Sequence, residues 1–159
     1  MKMMIASGVL AAGVFAGHFQ MPSTPPMKLG LWETTSTLNL QMPDVPQMQG
    51  RPPQVVKVRS CLTAESWAKA FGNSGRRSEC SLSNQTVTAS HYSFDISCPS
   101  MSGKGHADLD FSNEGSGHGK LHMEASPSGH AVVMDTVYDS HFVSADCGTV
   151  APDKPQILR

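Results

Sequence analysis

His91-Tyr92-Ser93-Phe94-Asp95-Ile96-Ser97-Cys98, the end of the stretch 86–98, alternates polar and apolar at every step. Tyr92, Phe94, Ile96 and Cys98 fall on one side, and His91, Ser93, Asp95 and Ser97 on the other. A period of two is the period of a β-strand. One apolar side and one polar side is the pattern of an antiparallel sheet that keeps one face in water. The pattern recurs downstream. Residues 105–111 set Ala107, Leu109 and Phe111 against His106, Asp108 and Asp110, and residues 117–125 set Leu121, Met123 and Ala125 against His118, Lys120, His122 and Glu124. Residues 131–143 make the longest strand, and the joints at Asn113-Glu114-Gly115 and Ser128-Gly129 supply glycine where a tight turn needs positive φ.

Upstream, residues 29–40 are rich in Thr and Leu, with Trp32, Leu38 and Leu40 sharing one parity, which suits a strand with one buried face. Residues 41–53 hold four prolines and a methionine, Met48, between two glutamines, so this segment is a loop that cannot join a central ladder. Residues 54–60 resume as a strand through Val55, Val56 and Val58. Thr63 is a good N-cap with Ser66 at N3, and residues 64–71 place Trp67, Ala70 and Phe71 on one helical stripe that ends at Gly72-Asn73. The expected fold is mainly β: an antiparallel meander forming a curved sheet or a lipocalin-like barrel, with one short α-helix.

The N-terminus reads as an export signal. Met1-Lys2-Met3-Met4 is a short positive region, and residues 5–16 are apolar or small but too few to cross a bilayer, where about 20 are needed. Val14-Phe15-Ala16 places small or aliphatic residues where a signal peptidase reads them, so residues 1–16 are expected to be a signal peptide cleaved after Ala16. The expected order is then a flexible leader at 17–28, one β-rich domain at 29–148 and a disordered tail at 149–159, in a periplasmic product with no transmembrane segment. Aromatic residues make up only 6% of the chain, so the core is thin. A net charge of −1 with scattered Lys and Arg argues against nucleic acid as a partner, and the Arg76-Arg77 pair reads as a solvated loop.

Four cysteines, Cys61, Cys80, Cys98 and Cys147, fit an oxidising compartment. No Cys-x-x-Cys pair suggests redox or zinc chemistry, so structural disulfides are expected. Of the three connectivities, Cys61–Cys80 with Cys98–Cys147 is favoured, and Cys80–Cys98 with Cys61–Cys147 is the alternative.

Three pieces, in order, carry a resemblance: Lys28-Leu29-Gly30-Leu31-Trp32-Glu33-Thr34-Thr35, then Cys61-Leu62-Thr63 with Glu65, then Ser102-Gly103-Lys104-Gly105 after the third cysteine. Together with the four cysteines they make the chain resemble the DUF3617 family of exported bacterial proteins over almost all of its length after the signal. The resemblance implies export, disulfides and a β-rich fold. It supplies no catalytic residues.

Function is read from two constellations. If the turns set the register, His106, His122 and Asp135 line up across three strands, with Asp110, His118 and Asp139 in a second row. Two imidazoles and a carboxylate suit zinc with an open coordination position, although the same residues are ordinary cross-strand charge partners, and a one-residue slip would disperse them. The apolar side offers Trp32, Tyr92, Phe94 and Phe111 as ligand-facing residues; Met42 and Met48 in the proline-rich loop read first as loop packing, and otherwise as an adaptable apolar lid or a soft-metal contact. No Gly-x-Ser-x-Gly elbow marks a nucleophile. The expectation is a non-enzymatic module with no cofactor, binding a small apolar ligand or an envelope protein. The alternatives are a structural envelope factor without ligand or a His/Asp metal-binding protein.

Overall fold

The computed structural model describes residues 25–71, 80–113 and 115–158, with side chains described throughout except at 70, 71, 112 and 113. The segments expected to be signal peptide and most of the leader, the expected helix stop at Gly72-Asn73, and Arg76-Arg77 and Glu114 lie outside the described residues. One eight-stranded antiparallel sheet contains β1 (Gly30–Gln41), β2 (Gln54–Leu62), β3 (Ser81–Val87), β4 (His91–Cys98), β5 (Gly103–Asn113), β6 (Ser116–Ala125), β7 (Val132–Ser144) and β8 (Gln156–Leu158). Among the described residues a single α-helix, α1 (Ala64–Phe71), follows β2. The strand order is β3-β4-β5-β6-β7-β1-β2-β8, so β3 and β8 are free edges and the sheet is open, not a closed barrel. Among the described residues no helix is long and apolar enough to cross a membrane.

The sheet is strongly curled, as the position of α1 requires. β2 and β4 are five places apart in the strand order, about 24 Å on a flat sheet at ~4.8 Å per strand. Yet Leu62 at the end of β2 packs against a cluster in which Trp67 of α1 meets Tyr92 of β4 and Phe111 of β5. Curling brings the two regions together, and Met27, Val87, Phe94 and Leu109 complete the cluster. The helix begins where expected: the Ser66 N–H donates to Thr63 Oγ1 at 3.0 Å and the Thr63 N–H to Ser66 Oγ at 2.9 Å, a reciprocal cap.

Gly30 explains one end of the first motif. Its φ is +134°, and an added Cβ would strike the Ser144 carbonyl oxygen and the Ala145 backbone of the strand alongside. This close approach coincides with the register shift between Leu31 and Trp32 in the β1–β7 ladder, where a bulge re-aims the following side chain. Trp32 then points inward and is buried, its indole N–H donating to the Lys28 carbonyl at 2.8 Å.

Two expectations are corrected. The cysteines pair as Cys61–Cys147 and Cys80–Cys98, not as Cys61–Cys80 and Cys98–Cys147. The reason is the pairing of β3: it runs antiparallel to β4 with Ser81 opposite Ser97, so Cys80 continues the ladder opposite Cys98. Cys61 lies opposite Leu31, which also borders Ser144 of β7, and Cys147 follows just beyond. The second correction is the tail. Within 149–159, expected to be disordered, Val150 is buried and β8 pairs Lys57, Val58 and Arg59 with Leu158, Ile157 and Gln156.

Candidate functional site

The four aromatic residues expected to face a ligand instead fill space. Tyr92 is fully buried, 5.9 Å from Trp67 and 5.0 Å from Phe94 between ring centroids, and Phe111 belongs to the same cluster. Trp32 packs edge-on against Phe142 at 5.7 Å, and the Lys28 ammonium stands 5.6 Å from the Phe142 ring centre. The Tyr92 hydroxyl donates to Gln85 Oε1 at 2.7 Å, and burial pushes its pKa up to about 12. A neutral hydroxyl tied to a neutral amide is a structural element. α1 is the element that turns Tyr92, Phe94 and Phe111 into core, since its Trp67 packs with them.

A cavity does form at the opposite end of β1. Asn39, Leu40 and Gln41 at the strand's end and Met42, Pro43, Met48, Gln49, Gly50 and Arg51 of the following loop enclose about 390 Å³. The loop holds its own shape. The Val45 N–H donates to the Met42 carbonyl, the Met48 N–H to the Val45 carbonyl at the 3-10 turn Pro46–Met48, and the Gln49 side-chain amide to the Pro43 carbonyl at 2.9 Å. Asp44 accepts from the Ala131 N–H at 3.1 Å, which anchors the loop to the start of β7. Gly50, at φ +71°, gives the reversal that brings Arg51 back to the rim. Leu40, Met42, Pro43 and Met48 make most of the lining apolar, while Asn39, Gln49 and Arg51 supply polar ends. The two methionines singled out in the sequence, Met42 and Met48, both line the cavity. Arg51 and Asn39 were missed, because only the loop's return path brings them to one cavity.

The polar face has the register the turns implied. His106 is opposite His122, Asp108 opposite Lys120, and Asp110 opposite His118. His122 is opposite Asp135 and His118 opposite Asp139. The turn at 127–130 is the two-residue type with positive φ at both Ser128 and Gly129. The other hairpin pairs Asn113 with Ser116, and a register irregularity after Asp110 absorbs the difference from a plain three-residue loop.

Register alone does not make the zinc site. His106 turns its Nδ1 toward Asp95 Oδ1 at 2.7 Å, on the side away from His122. His122 has Nδ1 on Asp135 Oδ1 at 2.7 Å and Nε2 3.5 Å from Glu124 Oε1. His122 with Asp135 and His106 with Asp95 therefore form two separate hydrogen-bonded pairs, and among the described residues no group of three or more His, Cys, Asp or Glu is placed to hold a metal ion. The Asp135 carboxylate raises the pKa of His122, with Glu124 adding to the effect. Asp95 is held below the ordinary carboxylate range, first by the Asn84 amide, which donates at 2.7 Å, and then by His106. Asn84 reaches Asp95 because β3 shifts register between Ser83 and Thr86, with Asn84 itself at φ +49°.

These features define a class of protein: an open, curled eight-stranded antiparallel sheet, closed at one end by a short helix and laced by two disulfides. The chain belongs to the family described as "Protein of unknown function (DUF3617)", whose model matches residues 27–147. No curated protein matches the chain. No solved structure matches it.

Proposed function

We propose that this protein is an exported, periplasmic and non-catalytic binding module whose ligand is a small, largely apolar molecule held under the loop between β1 and β2. The observation that carries the reading is the pocket of about 390 Å³ with a mostly apolar lining and Arg51 at its rim. That volume lies within the range of small-molecule sites, roughly 300–1,000 Å³, which combine apolar walls with a few polar anchors. The loop's hydrogen bonds and its tie to Ala131 set the cavity's shape in advance, which reduces the ordering cost of binding. Met42 and Met48 can repack around ligands of different outline. Arg51 suits an anionic head group, so a medium-chain carboxylate is a fitting probe. Export is supported by two disulfides, which persist in oxidising compartments, and by the signal-like N-terminus.

The test is native mass spectrometry of the oxidised protein purified from the periplasm, followed by titration with dodecanoate. The expected result is added mass, or uptake of one dodecanoate, that Leu40→Arg abolishes and Arg51→Ala weakens. A bare polypeptide that takes up neither dodecanoate nor dodecanol would sink the reading.

A further inference from the structure

The outer face of β4 to β7 takes no part in that pocket. Its charged residues stand in cross-strand rows. Asp95, His106, His122 and Asp135 are successive neighbours across the four strands, and His91, Asp110, His118 and Asp139 form a second row. Between them Asp108 opposes Lys120, and beyond the first row Lys104 opposes Glu124. Of the six carboxylates on this face, two stand opposite a lysine and four stand opposite a histidine.

The histidine pairs are geometrically well formed. His106–Asp95, His118–Asp139 and His122–Asp135 each meet through Nδ1 at 2.7 Å, and His91 Nε2 lies 3.5 Å from Asp108. All these side chains remain open to water, with the three Nδ1-bound imidazoles between 51% and 68% exposed. A neutral imidazole that donates Nδ1–H leaves its aspartate fully charged and facing solvent. Between about pH 5 and 8 the carboxylates and lysines keep their charges, and imidazole is the side chain that changes. Six carboxylates against two lysines give the face of β4 to β7 a net charge of −4 when its histidines are neutral, and +1 when the four row histidines and His141 of β7 are all protonated. At the margin toward β2, Lys57 stands beside Thr35, and His141 adjoins the Glu33–Arg59 pair.

We propose that this outer face is a docking surface for a cationic partner, a lysine- or arginine-rich extended segment of another protein, engaged at neutral pH and released as the row histidines take up protons. The two rows lie four residues apart along the strands, about 13 Å, which is the repeat of every fourth residue in an extended chain. Val137, 41% exposed, sits between the rows opposite Lys120 and offers the apolar contact that a charged rim surrounds in a docking patch. Protonation cancels the charge from inside the sheet, so release needs no change of fold.

The test uses the whole oxidised protein and a fluorescein-labelled decalysine peptide, read by anisotropy at about pH 7.5 and about pH 5.0 at constant low salt. Binding is expected at the higher pH and about tenfold or more weaker at the lower, a change of about 1.4 kcal/mol or more. Asp135→Asn with Asp139→Asn should weaken binding at the higher pH. His118→Gln with His122→Gln should retain that binding and flatten its pH dependence. Circular dichroism checks that these exposed substitutions leave the sheet intact. No binding at the higher pH, equal binding at both, or indifference to the Asp135 and Asp139 changes would overturn the proposal. The pocket's dodecanoate titration is unaffected by any of these outcomes.

Discussion

Asp95 and His122 show how single side chains tie stability to pH. Asp95 has a folded pKa below its unfolded value of 3.8, so its contribution is present above that value and is lost as the pH falls through the lower folded one. His122 has a folded pKa above its unfolded value of 6.5, so its contribution is full below 6.5 and is lost as the pH rises through the higher folded one. Both contributions coexist between about pH 4 and 6.5, where the melting temperature should be highest. Asp95→Asn should flatten the acid limb of a melting-temperature profile and His122→Gln the alkaline limb. Both effects should shrink in high salt, because the pairs are exposed. At this scale the sequence was informative about residue type and face but not about partner. His106 could be placed opposite His122, yet its choice of Asp95 depends on β4 lying on its other side, with Asn84 steering Asp95 from a bulge that has no sequence signature.

At the scale of the element, legibility followed periodicity. The strands β4 to β6 were readable because alternation runs through each of them, β7 as a long run rich in β-branched and aromatic residues, and α1 because Thr63 and Ser66 cap it. The bounds of β3 and the joint at 88–90 that parts it from β4 were not readable, because Ser81–Val87 is mostly polar and stands at an edge, where no second neighbour demands an apolar pattern. β8 was missed because three residues are too few to show a period. The aromatic residues of β4 were given the right face and the wrong role, since alternation reports which side is apolar but not what covers it. The cover is α1, through Trp67, which is 3% exposed. Trp67→Ala should therefore cost about 3–5 kcal/mol, read as a fall in the urea midpoint. It should also raise the fluorescence quenching of the remaining Trp32 little, because Trp32 packs separately on Phe142. A loss under 1 kcal/mol would mean that the helix is not the cap of the core.

At the scale of the whole molecule, the two disulfides act on different spans. Cys61–Cys147 closes 86 residues and joins the ends of β2 and β7 around β1, whereas Cys80–Cys98 closes 18 and fastens the edge strand β3. In the chain-entropy account these loops correspond to about 4.5 and about 3 kcal/mol of stabilisation. Removing Cys61 and Cys147 together by serine substitution should lower stability more than removing Cys80 and Cys98, as measured by denaturant unfolding of each double variant. The reverse order would show that edge-strand anchoring outweighs loop length. The connectivity was hard to read in advance because it depends on β1 lying between β2 and β7, a neighbour relation that no local pattern encodes.

That placement of β1 has a consequence for biosynthesis. The strand is among the first parts of the sheet to leave a ribosome or a translocation channel, yet one of its two neighbours, β7, is among the last. Until residues 132–144 emerge, β1 can pair only with β2, and Trp32 waits without Phe142. The growing chain therefore cannot complete its fold vectorially, and Cys61 remains a thiol open to wrong partners until Cys147 arrives.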